Sequence, residues 1–109
     1  MAMTVSVEQG TKQFRGAFNE LWAVTLTAID FANAATGSGT FASVDVAVPG
    51  VVLGDMVMGI SVGVDTIDAV IGGAVTTANV VTLTLMNNSA GAVNLVSTNG
   101  KLLVGRPAW

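Results

Sequence analysis

The chain contains no cysteine and no histidine. Without cysteine there is no disulfide framework and no thiol nucleophile; without histidine there is no imidazole to bind a metal or move a proton near neutral pH. Most nucleophile–base triads are excluded at a stroke. Charge is scarce as well. Asp, Glu, Lys and Arg supply 10% of the 109 residues, against roughly 25% in an average soluble domain. The four bases are Lys12, Arg15, Lys101 and Arg106, and the net charge is −3. They are too few for a phosphate track, so nucleic acid is not an expected partner. No run approaches the ~18 apolar residues that cross a bilayer as a helix, so neither is a membrane. Residues 1–20 lack a basic start followed by an apolar run and do not read as a signal peptide.

Hydrophobic residues, in contrast, make up 51% of the chain. A single domain of this length cannot bury most of its surface. Much of the exterior must therefore be Ala, Gly, Thr, Ser and Asn with some Val and Met. Such a surface is weakly hydrated and weakly self-repelling. Partner subunits would cover it; a monomer with a Thr/Ser/Asn skin is the alternative. Small size without disulfide or metal also points to oligomeric support.

The organising pattern is period-two alternation between residues 43 and 86. Val44, Val46 and Val48 form one apolar row, which Pro49-Gly50 ends. Met56, Met58, Ile60, Val62 and Val64 form a second, and Val81, Leu83 and Leu85 a third. Alternation repeated across turn-punctuated segments marks antiparallel strands with one face on a core. Upstream, Trp22, Val24 and Leu26 share one parity while Ile29 and Phe31 share the other, which requires a bulge or an end of pairing near Thr27-Ala28. Residues 69–76 read as one broken strand or two short ones around Gly72-Gly73. Residues 92–96 read as a return strand, residues 97–100 as a turn and residues 101–104 as the last strand. A brief helix over residues 17–24 is an option.

These segments predict an all-β chain: a small antiparallel β-sandwich or distorted barrel with an extended N-terminal segment. Residues 1–20 form an N-terminal arm or edge segment, residues 21–105 the β domain and residues 106–109 a C-terminal tail. Few charges guard the strand edges, so closure or neighbouring subunits must protect them.

Motifs for chemistry fail one by one. Gly37-Ser38-Gly39 has no following Lys-Ser/Thr pair and no helix to supply a dipole, so it is not a phosphate loop. Asp65 and Asp68 offer too few oxygens for calcium. Asp55, after Gly54, reads as a turn carboxylate bonding nearby backbone amides. No catalytic residue, metal or cofactor is expected.

The candidate residues are instead interface residues. Phe14, Arg15 and Phe18 are anchors if the N-terminal segment is an arm. Met56 and Met58 read as core filler or as a subunit contact. Trp22 and Trp109 are candidates for exposed recognition surface, Trp109 with Arg106 beside it; Trp109 packing back on the sheet is the alternative.

Two longer stretches carry a resemblance. The run Ile29-Asp30-Phe31, a small polar loop, then Val44-Asp45-Val46-Ala47-Val48-Pro49-Gly50-Val51 and Gly54-Asp55-Met56-Val57 resembles a pattern in small tailed-bacteriophage virion proteins. It continues through Ala74-Val75-Thr76-Thr77-Ala78-Asn79-Val80-Val81-Thr82-Leu83, Asn87, Gly91-Ala92-Val93 and Gly100-Lys101-Leu102-Leu103-Val104, spanning residues 29–104. Proteins of this kind include head decoration or cement proteins and modules of tails and fibres. The resemblance implies non-enzymatic attachment to a protein lattice, with the major capsid protein as partner and the capsid exterior as location. By the same analogy it implies a homo-oligomer, a trimer suiting local three-fold lattice positions. A tail, fibre or host-surface binding module present in few copies is the alternative.

Overall fold

The computed structural model describes residues 3–10, 17–31, 40–64, 66, 69–87 and 97–108. Among them run β1 (Thr4–Gly10), β2 (Phe18–Ile29), β3 (Thr40–Ala47), β4 (Met56–Val62), β5 (Ala69–Thr77), β6 (Val80–Asn87) and β7 (Thr98–Pro107). All pairing is antiparallel. One sheet has the order β1-β2-β7-β4, the other β3-β6-β5. They pack face to face as a small β-sandwich.

The alternation dictates which face each strand buries. Trp22, Val24 and Leu26 of β2 and Leu102 and Val104 of β7 point inward from the larger sheet. Val46 of β3, Val81, Leu83 and Leu85 of β6 and Val75 of β5 meet them from the smaller one. Full burial of each such aliphatic side chain contributes about 1.5–3 kcal/mol against chain entropy. The core is therefore assembled mainly from the central strands β2, β7 and β6, with Ala42 and Val46 added by the β3 edge and Ala69 and Val75 by the β5 edge. Edge strands contribute half-buried residues: Val5 and Val7 from β1, Val57 and Ile60 from β4, and Ile71 from β5.

The expected parity switch lies where the spacing placed it. The β2–β7 register shifts between Leu26 and Ile29, and Ala28 takes a φ of 58°. This bulge buries both Ala28 and Ile29, and the Asn99 carboxamide oxygen accepts the Ala28 N–H at 3.4 Å. Two tight turns follow β3. Val51 N–H bonds the Val48 carbonyl and Asp55 N–H the Val52 carbonyl, with Gly50 and Gly54 each at φ 100° in the third position. That is the conformation of type II turns, in which glycine avoids the steric cost of positive φ and proline suits the preceding place. Asn79 locks the first turn down: its side-chain oxygen accepts from Gly50 N–H at 2.8 Å, and its own N–H donates to the Val51 carbonyl at 2.8 Å.

Several boundaries differ from the sequence reading. Residues 18–20 extend β2, so residues 17–24 hold no helix; pairing with β7 overrides local propensity there. Strand β5 runs unbroken through Gly72-Gly73, because each glycine has a partner in β6, Thr84 and Leu83 respectively. Thr98, Asn99 and Gly100 open β7 instead of turning. Arg106 and Pro107 close it, paired with Glu20 and Phe18, so they are not a tail. Between the two turns only Val51 is buried; Val52 and Leu53 face solvent. Residues 4–10 form an edge strand along β2. The expected return strand at 92–96 lies outside the described residues, as do Asp65 and Asp68.

Candidate interaction surface

The outer face of the smaller sheet is built in cross-strand rows. Phe41 of β3 stands opposite Met86 of β6, which stands opposite Val70 of β5. Their inward neighbours Ala42, Leu85 and Ile71 take the core side, so the pleat turns all three large apolar groups outward. They are 65%, 48% and 61% exposed, among the largest exposures of any apolar side chain here. The next row is Ser43–Thr84–Gly72, and the next Asp45–Thr82–Ala74. Thr82 Oγ1 donates to Asp45 Oδ1 at 2.8 Å; its single proton being used, Thr76 donates to Thr82, also at 2.8 Å. The face thus grades from an apolar end to a hydroxyl-rich end carrying one carboxylate.

The outer face of the larger sheet gathers three of the sequence candidates. Gly105 of β7 sits beneath Phe18 and Met58: a Cβ there would lie 2.8 Å from the Phe18 ring and 2.9 Å from Met58 Cε. Met56 is the strand partner of Gly105 and is 42% exposed. A bulge between Val57 and Gly59 lets Met58 swing over this glycine. Phe18 and Met58 are half-buried and Met56 is exposed, so the methionines are not core filler: the strand's inward positions belong to Val57 and Ile60. Further along this face, Ala23, Thr25, Gly59, Ser61, Lys101 and Leu103 line an open trough of about 470 Å³. Its one charged group is the Lys101 amine, and no carboxylate stands among the described lining residues to act as a base for the Thr25 or Ser61 hydroxyl.

Trp22 and Arg106 belong to a different cluster, at the end of the sandwich. Trp22 is 0% exposed and is a core residue, not recognition surface; its even parity with Val24 and Leu26 directs it inward. The Arg106 guanidinium stacks over the indole, 5.2 Å from the ring centroid. Arg106 Nε donates to Asp55 Oδ1 and Nη2 to Asp55 Oδ2, each at 2.9 Å, while Nη2 also donates to the Gly50 carbonyl. Val52 N–H donates to the same carboxylate at 2.9 Å. Burial by itself pushes the Asp55 carboxyl up, but the Arg106 hydrogen bonds, the Val52 amide and the Arg106 charge outweigh it and hold the group below its usual range. The hydrogen bond from Arg106 to Asp55 in turn raises the guanidinium. Arg106 is thus committed within the chain. Trp22 Nε1 is buried without a hydrogen-bond partner among the described residues and faces Gly50, where a Cβ would come within 3.5 Å. No metal-holding group of three or more acids occurs among the described residues.

Phe14, Arg15 and Trp109 lie outside the described residues. The sequence reading missed Phe41, Val70 and Met86, although parity was the available signal: Phe41 and Met86 stand on the Ser43/Asp45 and Thr82/Thr84 faces of their strands. It read the Asp55 turn bond and missed its arginine. No family model, curated protein or solved structure matches the chain.

Proposed function

We propose that this chain is a non-enzymatic virion structural protein that attaches to the outside of a capsid lattice and reinforces it. The observation that carries the reading is the Phe41–Met86–Val70 row, an exposed apolar strip on a sheet face with a single carboxylate, Asp45, at its far end. Apolar strips of this kind on otherwise polar surfaces mark protein contacts. Aromatic and methionine side chains are enriched at such contacts, because the ring buries a large area with few torsions to order and the flexible thioether adapts to the partner surface. Phe18, Met56 and Met58 form a second, smaller apolar group on the opposite outer face. The sandwich can therefore touch neighbours on both sides. The resemblance of residues 29–104 to small tailed-phage virion proteins supplies the identity of the lattice.

Repetition does the rest. Each contact is modest, but attachment to a symmetric shell multiplies it through effective concentration. Quantitative mass spectrometry of purified particles from the source tests the proposal. A copy number comparable to that of the shell protein supports decoration. A handful of copies moves the chain to the tail or a fibre, and its absence from the particle overturns the reading.

A further inference from the structure

We infer that strand β5 is a self-pairing edge, and that two copies join there about a two-fold axis through Gly73 into one continuous sheet of six strands. The inference concerns the free chain and does not depend on the attachment proposed above.

The edge carries no charge and no proline, and its one irregularity, the register shift between Val75 and Thr77, lies at the end of the stretch 71–75 used for pairing. Natural edge strands carry charges or proline that deter pairing, yet β5 reads AVIGGAVTT with neither. Strand β4, which packs beside it at the same side of the sandwich, reads MVMGISV and also lacks both. The other two edges, β1 and β3, carry Glu8 and Asp45. A chain of net charge −3 can thus approach a second copy at the β4/β5 side without setting acids of these strands against each other. Between these strands Val57, Met58, Ile60, Ile71 and three glycines, Gly59, Gly72 and Gly73, line an open groove of about 180 Å³ whose surface is shared between apolar side chains and polar groups.

The ladder shows which β5 groups are unused. In an antiparallel sheet both backbone groups of one residue point to the same neighbour, and those of the next residue point away. Val48 N–H bonds the Asn79 carbonyl, so the even residues of β3 face β6. Through the registers Val46↔Val81 and Ala42↔Leu85, the odd residues of β6 face back, leaving Thr82, Thr84 and Met86 for β5. These pair with Ala74, Gly72 and Val70. The N–H and C=O groups of Ile71, Gly73 and Val75 consequently point away from the sheet. Ala69, on the same parity, already sends its N–H outward to the Thr66 carbonyl. Water can satisfy these groups one at a time, but a second β5 offers the same row in reverse and satisfies them together as a ladder.

With the axis on Gly73, that residue faces its own copy, and Ile71 faces Val75 of the second copy; both pairs exchange hydrogen bonds. Gly72 then faces Ala74 of the other copy on the outer side, so the smallest side chains meet where backbones approach. The two apolar rows would lie on one surface, their Val70 residues about 20 Å apart at a rise of about 3.4 Å per residue, a bivalent display. A two-fold contact departs from the trimer expected by analogy.

Sedimentation equilibrium of the full chain, across the micromolar range, tests this. The wild type should be a dimer. Gly72→Lys with Ala74→Lys sets like charges directly opposite across the axis and should give a monomer with unchanged circular dichroism; a Cβ at Gly72 meets nothing within 4 Å, so the fold tolerates the change. Gly72→Lys with Ala74→Glu sets opposite charges opposite each other and should restore the dimer. A monomeric wild type, or a dimeric double-lysine chain, overturns the inference; a monomeric Lys/Glu chain overturns the register.

Discussion

Arg106 grips Asp55 through two parallel hydrogen bonds of 2.9 Å, across a sequence separation of 51 residues. The Asp55 side chain is 2% exposed and Arg106 33%, so the pair sits at the rim of the core with its carboxylate turned in. It fastens the double turn after β3 to the end of β7 and seals Trp22 beneath it. The same guanidinium reaches the Gly50 carbonyl, so one side chain ties three segments.

Arg106→Ala leaves that carboxylate buried with only the Val52 amide. The expected cost is about 2 kcal/mol, less than for a fully buried pair because Arg106 is partly solvated, and the Tm should fall by about 10 °C. Arg106→Lys keeps the charge but not the two-pronged geometry and should fall between the two. Thermal unfolding followed by circular dichroism measures all three chains.

Asp55 makes stability depend on pH. Its folded pKa lies below the unfolded one. The stabilisation is therefore complete above the unfolded carboxylate range, about pH 4, and is lost as pH falls through the folded value. Urea midpoints of the wild type should drop between about pH 6 and about pH 3. Asp55→Asn should be less stable at the upper pH and should show a smaller drop. Parallel curves for the two chains would remove Asp55 from the account.

Two glycines separate backbone contact from open space. A Cβ on Gly100 would lie 2.9 Å from the Ser61 carbonyl oxygen, and backbone cannot turn aside as a side chain does. Gly100→Ala should cost about 1–3 kcal/mol. Gly59 meets nothing within 4 Å, so Gly59→Ala should be neutral or stabilising by about 0.5 kcal/mol, through a less free unfolded chain. Denaturant unfolding distinguishes them.

Much of this fold is legible in residue order. Alternation in β2, β3 and β6 assigned Val24, Val46 and Leu83 to inward faces, and the break in parity after Leu26 located the bulge at Ala28; Trp22 shares the parity of Val24, which tells against its reading as exposed recognition surface. Turn chemistry placed Pro49-Gly50 and Gly54-Asp55. What stayed hidden depends on pairing between distant strands. Nothing local to Arg106 says that it reaches back to Asp55, and nothing local to Gly105 says that Phe18 and Met58 cover it. Gly72-Gly73 reads as a break because glycine weakens strands on average; hydrogen bonding to β6 overrides that. The apolar row is an intermediate case: parity turns Phe41 and Met86 outward, but only the register sets them side by side with Val70.

The central claim is that the Phe41–Met86–Val70 row seats the chain on a shell. Co-sedimentation with purified heads lacking the chain tests it most directly, comparing the wild type with Phe41→Ser and Met86→Ser combined. Both positions are exposed, so the double variant should unfold close to the wild type, each change costing within about 0.5 kcal/mol. The account predicts saturable binding of the wild type and a loss of at least about tenfold in affinity for the variant, as for the loss of aromatic and methionine anchors. Equal binding by the two folded chains, or no binding by the wild type, would contradict it.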